Sequence, residues 1–274
     1  DVYKRQGEGE PIVFVHGGPG MSHDYFLPQM SELADDFKLI FYDQRASGRS
    51  SREVDSNTVS ISGFIEDIEG IRQAFGYEKI NLLGHSWGGI VAMNYAIRHS
   101  DKLASLMLVS SNPASSYYGG SINKIAKTRL TQRDSVQRQT IIESEDFRRG
   151  RAEAYERLYR LSYSIQFYNR AMADSLRLYI PKDVLARRQQ LGYLRKDITS
   201  YDIHYDLQNI KCPTLIIYGD YDPFSLAAGP EIHEYISHAE YLEITNCGHF
   251  PYIEKPREFF SAIRSFKGMS SDEE

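Results

Sequence analysis

In Gly84-His85-Ser86-Trp87-Gly88 a serine stands between two glycines, each two residues away. The apolar run before it, Asn81-Leu82-Leu83, reads as a strand, and the helical pattern after it runs from Gly88 to about Arg98. A strand that turns sharply into a helix brings backbone too close for a Cβ, which explains the glycines. Such a bend lifts a hydroxyl clear of the sheet, so Ser86 is the candidate nucleophile. The helix N-terminus aimed at the same place favours developing negative charge.

A serine hydroxyl barely ionises near neutral pH, so attack on a carbonyl needs an imidazole to take its proton. His249, after Gly248 in a polar turn near the end of the chain, is the candidate base. His16 and His85 flank glycine turns and are expected to position backbone, while His99, His204, His233 and His238 lie in helical or inserted segments. Two carboxylates follow one strand, Asp220 and Asp222; Asp222 sits deeper in the loop and is preferred for orienting the imidazole. The tetrahedral oxyanion needs preorganised donors, for which the Trp87 amide and one from Gly17 or Gly18 are suited. No cofactor and no metal is expected, because the chain carries no HExxH, P-loop or G-x-G-x-x-G pattern.

These residues meet only if the intervening elements bring them to one edge. Strand-like runs occur at Ile12-Val13-Phe14-Val15, Lys38 to Tyr42, Leu103 to Val109, Thr214 to Tyr218 and Tyr241 to Ile244. Helical patterns alternate with them: Ser22, as N-cap, to about Asp35, Ser62 to about Phe75, Ala228 to Ser237, and Pro256 to about Phe266. Alternation of this kind predicts a mostly parallel sheet with helices on both faces, whose strand ends gather at one edge.

From Pro113 to about Tyr205 the alternation stops and the pattern is helical, which predicts an inserted helical cap. The expected organisation is a core of residues 7–112 and 206–268, with the cap at 113–205. The cap holds 17 of the 32 Lys and Arg but 10 of the 37 Asp and Glu. Tyr155, Leu158, Tyr159 and Tyr163 recur at helical spacing; they either line a substrate pocket or form the cap's own packing seam, the commoner use of such a stripe.

With a formal charge of −5 and 41% hydrophobic residues, the 274-residue chain suits a globular protein and lacks the basic, aromatic pattern of nucleic-acid modules. No apolar run reaches a membrane-spanning length. Cys212 and Cys247 stand outside any CxxC or metal-spaced cluster and read as packing thiols. Residues 1–6 share no pattern with the rest of the chain and read as a non-native leader, residues 269–274 as a disordered tail, and the compartment as cytoplasmic.

The order Ser, Asp, His resembles the α/β-hydrolase superfamily. Within it the chain is similar to proline-iminopeptidase-like serine hydrolases, through His16 to Gly20, Asp43 to Ser50, Gly84 to Gly89, Gly219 to Asp222 and Gly248-His249. The resemblance implies Ser86, Asp222 and His249 as a triad, with the oxyanion held by Trp87 and the first glycine turn. It also implies release of an N-terminal residue, often proline, from short peptides, with acidic residues binding the substrate ammonium. Glu153 and Glu156 are the cap candidates for that role, with Tyr155 and Tyr159 beside them; Pro223 stands where some members have a second acid. The alternatives are an esterase or amidase of small acyl substrates, and a non-catalytic ligand-binding relative. The fold's N-terminal hairpin is expected to be missing, leaving an incomplete sheet edge.

Overall fold

The computed structural model describes residues 3–51 and 53–269. Among these, seven strands form one sheet: β1 Tyr3–Gln6, β2 Glu10–Val15, β3 Phe37–Tyr42, β4 Ile80–His85, β5 Leu103–Val109, β6 Thr214–Gly219 and β7 Glu240–Ile244. Their order is β1-β3-β2-β4-β5-β6-β7, parallel except for β1. Val15 lies opposite Gly84, His85 opposite Val109, and Gly219 opposite Ile244, so the loops after β2, β4, β6 and β7 emerge at one edge.

Among the described residues β1 and β2 are not neighbours and form no hairpin, yet the edge expected to be incomplete holds a strand. Tyr3–Gln6 pairs antiparallel with β3, Tyr3 against Tyr42 and Gln6 against Leu39. Edge pairing runs through backbone groups, so it needs no hydrophobic pattern that a sequence reading would detect. The leader read at residues 1–6 therefore includes a strand, while Asp1 and Val2 lie outside the described residues. So do residues 270–274, where a frayed tail was expected; Met269 packs against the core.

Strand alternation sorts the core onto two faces. Val13 and Val15 join one buried cluster, Ile12 and Phe14 the other, as the period of two requires. On the first face lie α1 Ile61–Ala74, which buries Phe64, Ile65, Ile68 and Ile71, and α2 Trp87–His99. Each such side chain contributes about 1.5–3 kcal/mol on burial. The helix expected from Ser22 to Asp35 is instead two short 3-10 segments, His23–Phe26 and Gln29–Asp35. Ser22 does cap the first, accepting from the Asp24 amide, but Pro28 follows an extended Leu27 (φ −102°, ψ 145°) and breaks the helix there.

Between β5 and β6 the described residues form no strand, only one isolated bridge, Ser115 to Asp202. The helices there are α3 Gly119–Thr128, α4 Gln132–Glu143, α5 Glu145–Arg148, α6 Ala152–Ser164, α7 Val184–Leu191, α8 Arg195–Ile198 and α9 His204–Leu207. After β6 come α10 Ser225–Tyr235, then α11 Pro251–Glu254 and α12 Pro256–Phe266, the last packing Phe259, Phe260 and Ile263 on the second face. Cys212 and Cys247 are free and buried. No helix of the described residues is long and apolar enough to cross a membrane.

Candidate active site

Ser86 is the single residue between β4 and α2, with φ 55° and ψ −123°. Few L-residues adopt that conformation, and it persists only where the surroundings over-determine it. Here they do: the Ser86 amide donates to Val109 O at 3.1 Å, and its carbonyl accepts from Gly89 at 2.9 Å and Asn112 at 3.1 Å. The flanking glycines are required by contact. A Cβ on Gly84 would lie 2.5 Å from Gly88 O, and one on Gly88 would overlap Val15 O.

Asp222 follows β6 and His249 follows β7, and both are buried. Imidazole Nδ1 donates to Asp222 Oδ2 at 2.9 Å, which leaves Nε2 as the basic nitrogen. The other carboxylate oxygen accepts the Phe224 amide at 3.0 Å, and the Phe224 ring stacks on the imidazole at 4.7 Å. Asp220 acts elsewhere, its Oδ1 accepting the Cys247 amide at 3.2 Å and so fastening the β7 loop.

Ser86 and His249 line the same cavity, yet no hydrogen bond joins them. The serine hydroxyl instead has Asn112 Oδ1 as a distant acceptor, at 3.5 Å. A contact this long is a weak hold on the hydroxyl.

For the oxyanion, the two glycines separate. The Gly17 amide is already given to Tyr25 Oη at 2.6 Å, whereas the exposed Gly18 has no amide partner among the described residues. The Trp87 amide, at the first turn of α2, likewise has none. Gln44 ties the two stretches that carry these amides: its Nε2 donates to His16 O at 2.5 Å and its Oε1 accepts Trp87 Nε1–H at 3.0 Å. The Gln44 amide also donates to His16 Nε2 at 3.0 Å, so His16 Nδ1–H points to Gly17 O at 2.8 Å. Burial holds the His16 pKa below its usual value, which keeps this ring neutral.

A family model described as alpha/beta hydrolase fold matches residues 10–256. The chain belongs to that family. A proline iminopeptidase from Saccharolobus solfataricus is 30% identical over 97% of this chain and 87% of its own length. One from Heyndrickxia coagulans is 26% identical over 96% of this chain and 92% of its own. Among solved structures, an alpha/beta fold family hydrolase from Bacillus anthracis superposes with a TM-score of 0.75 at 21% identity, covering 96% of this chain and 94% of that one.

The cavity of this α/β hydrolase is a narrow apolar slot, walled beside the serine by Met21, Tyr25, Tyr163, Leu176, Leu178 and Phe250. Of the tyrosine stripe on α6, Tyr163 alone reaches it. Tyr155 is buried in a separate cluster with Ile180 and Val184, stacked on Phe147 at 4.4 Å, and the Tyr159 hydroxyl accepts from Arg188 at 3.1 Å. Glu153 is exposed, and Glu156 pairs with Arg160 at 2.9 Å. None of Glu153, Glu156, Tyr155 and Tyr159 lines the slot: the stripe serves as a packing seam because its rings find apolar partners within the inserted helices. A wider cleft of about 320 Å³ adjoins at Gly18, Trp87, Asn112 and Phe224. Among the described residues no Asp or Glu lines the slot or the cleft.

Four contributors were not singled out from sequence for these roles: Tyr25, Gln44, Asn112 and Glu254, whose carboxylate accepts the Gly248 amide at 2.8 Å beside His249. Gln44 had a signal, lying in the polar loop directly after β3. The others had none, since each acts on an atom more than 25 residues away or on backbone.

Proposed function

We propose that this hydrolase works by acyl transfer at Ser86 and releases N-terminal residues, proline among them, from short peptides. His249 Nε2 takes the Ser86 proton as Oγ attacks the carbonyl carbon, and Asp222 stabilises the resulting imidazolium. The amides of Gly18 and Trp87 bind the oxyanion. The imidazolium then protonates the departing amine, the C–N bond breaks and an acyl-enzyme remains. Water, deprotonated by His249, cleaves that ester and restores the hydroxyl. The core of residues 7–112 and 206–268 carries this machinery, and the cap at 113–205 supplies Tyr163, Leu176 and Leu178 over it. The observation that carries the chemistry is the buried Asp222–His249 pair at 2.9 Å beside a strained serine on one cavity wall. The peptide substrate is supported by the two proline iminopeptidases the chain matches almost end to end.

A second reading, an esterase of small acyl groups, is favoured by one observation: neither cavity is lined by a carboxylate that would bind a free ammonium. A panel of aminoacyl-naphthylamides against short-chain nitrophenyl esters separates the two. Peptidase action predicts that prolyl-naphthylamide is the better substrate and that acetylating its amine abolishes turnover; a preference for esters that ignores the amine refutes it. Fluorophosphonate labelling, lost in Ser86→Ala, distinguishes either enzyme from a non-catalytic ligand-binding relative.

A further inference from the structure

We propose that Tyr25 and His85 are positioning residues, forming a one-way hydrogen-bond relay that locks the oxyanion turn to the loop of the general base. This rests on the acyl-transfer reading above. Three links run beneath the elbow: Gly17 N to Tyr25 Oη at 2.6 Å, Tyr25 Oη to His85 Nδ1 at 2.9 Å, and His85 Nε2 to the His249 carbonyl oxygen at 2.8 Å. The two ends dictate every proton between them. A carbonyl only accepts, so His85 carries its hydrogen on Nε2 and its Nδ1 is an acceptor. Tyr25 must therefore donate its one proton to Nδ1, and its lone pair receives the Gly17 amide. The reverse direction is chemically closed.

Gly17, Tyr25, His85 and His249 are all buried, so each link lacks competition from solvent. Burial pushes the tyrosine hydroxyl well above its usual pKa and the imidazole well below, and both stay neutral where the protein is folded. Aromatic packing fixes the rings: His85 lies 5.4 Å from Tyr25, 5.4 Å from Phe250 and 4.8 Å from His249. The relay thus joins two loops that the sheet alone leaves independent, one ending in the Gly18 donor and one bearing the base. It also explains why an imidazole precedes the nucleophile without taking part in proton transfer.

The test compares Tyr25→Phe, His85→Leu and His85→Gln by the rate of fluorophosphonate labelling of Ser86, and by kcat and KM on a nitrophenyl ester, with thermal melts alongside. Tyr25→Phe and His85→Leu each strand two buried polar groups and should lower kcat and labelling about 10- to 100-fold, with KM within about twofold. His85→Gln should stay within about threefold of the parent, because its amide NH₂ can serve His249 O while its amide oxygen accepts from Tyr25. The double variant Tyr25→Phe/His85→Leu should be no slower than the worse single one, as expected for two parts of one device. Parental rates in His85→Leu, equal losses in Leu and Gln, or multiplying losses in the double variant would each overturn the relay. If His85→Leu fails to fold, Tyr25→Phe against His85→Gln decides, and equal rates refute it. Loss of labelling in the unsubstituted protein would strike the acyl-transfer reading, whereas equal labelling of every variant strikes the relay alone.

Discussion

The backbone amide of His249 donates to the carbonyl oxygen of Gln166 at 2.9 Å, so the proposed base hangs from the inserted helical segment as well as from the sheet. Glu254 reinforces the junction: its Oε1 accepts the Gly248 amide at 2.8 Å, and its Oε2 accepts those of Tyr168 at 2.8 Å and Asn169 at 3.2 Å. One carboxylate therefore binds three amides from two separate stretches of chain.

Glu254→Ala leaves those amides without their acceptor. The expected cost is about 2–4 kcal/mol of stability, with a lower kcat because the His249 loop is released. Urea unfolding and ester turnover check both, and an unchanged midpoint would show that other groups take over the three amides. Glu254→Gln, which keeps one amide oxygen, should fall between Ala and the parent.

Gln44→Leu removes the brace between His16 and Trp87 while preserving side-chain bulk. A drop of about tenfold in kcat with little change in KM is expected, since the proposed oxyanion donors beside it would be used chiefly in the transition state. Steady-state kinetics read this directly; a rise in KM alone would assign Gln44 to substrate binding instead.

Gly88→Ala tests the elbow. Its Cβ would meet the backbone oxygens of Val15 and His16, and neither strand end can retreat without breaking β2–β4 pairing. About 3 kcal/mol or more of destabilisation is expected, measurable by thermal melting. Gly119→Ala, where the new methyl group meets nothing within 4 Å beyond its own stretch of helix, is the control and should melt with the parent or slightly above it.

Glu69 tests linkage to pH. Arg72, bonded to it through 2.9 and 2.6 Å contacts, is the main cause that draws its pKa from 4.5 down to about 2, with Tyr95 adding a 2.8 Å bond. A depressed carboxylate pKa contributes stability above the unfolded value and loses it as pH falls through the folded one. Glu69→Gln should therefore cost about 1–2 kcal/mol near pH 7, with the deficit shrinking between pH 4.5 and about 2. Denaturant midpoints across that window would contradict the assignment if the deficit stayed constant.

The elements with strong periodicity were legible from the chain alone. The last helix runs Pro256–Phe266, and the pattern Phe64, Ile65, Ile68, Ile71 marks α1 to within a residue at each end. The elbow was equally plain, because close backbone contact leaves a glycine signature. Less legible was the stretch after Ser22, where helical hydrophobicity and Pro28 pointed in opposite directions and the proline prevailed. The substrate side of the site was read least well. Glu153, Glu156, Tyr155 and Tyr159 sit on the right helix, but its rotation places Tyr163 at the slot instead.

By itself the sequence determined a mostly parallel α/β sheet, a serine at a forced bend, and an aspartate and then a histidine after later strands. Periodicity and glycine sterics are local, so they survive in one dimension. Tertiary structure alone decided which glycine keeps a free amide and how Tyr25, Gln44 and Glu254 tie distant loops together. Those choices rest on the direction of individual N–H and O–H bonds across the sheet edge, and no spacing along the chain encodes a direction in space.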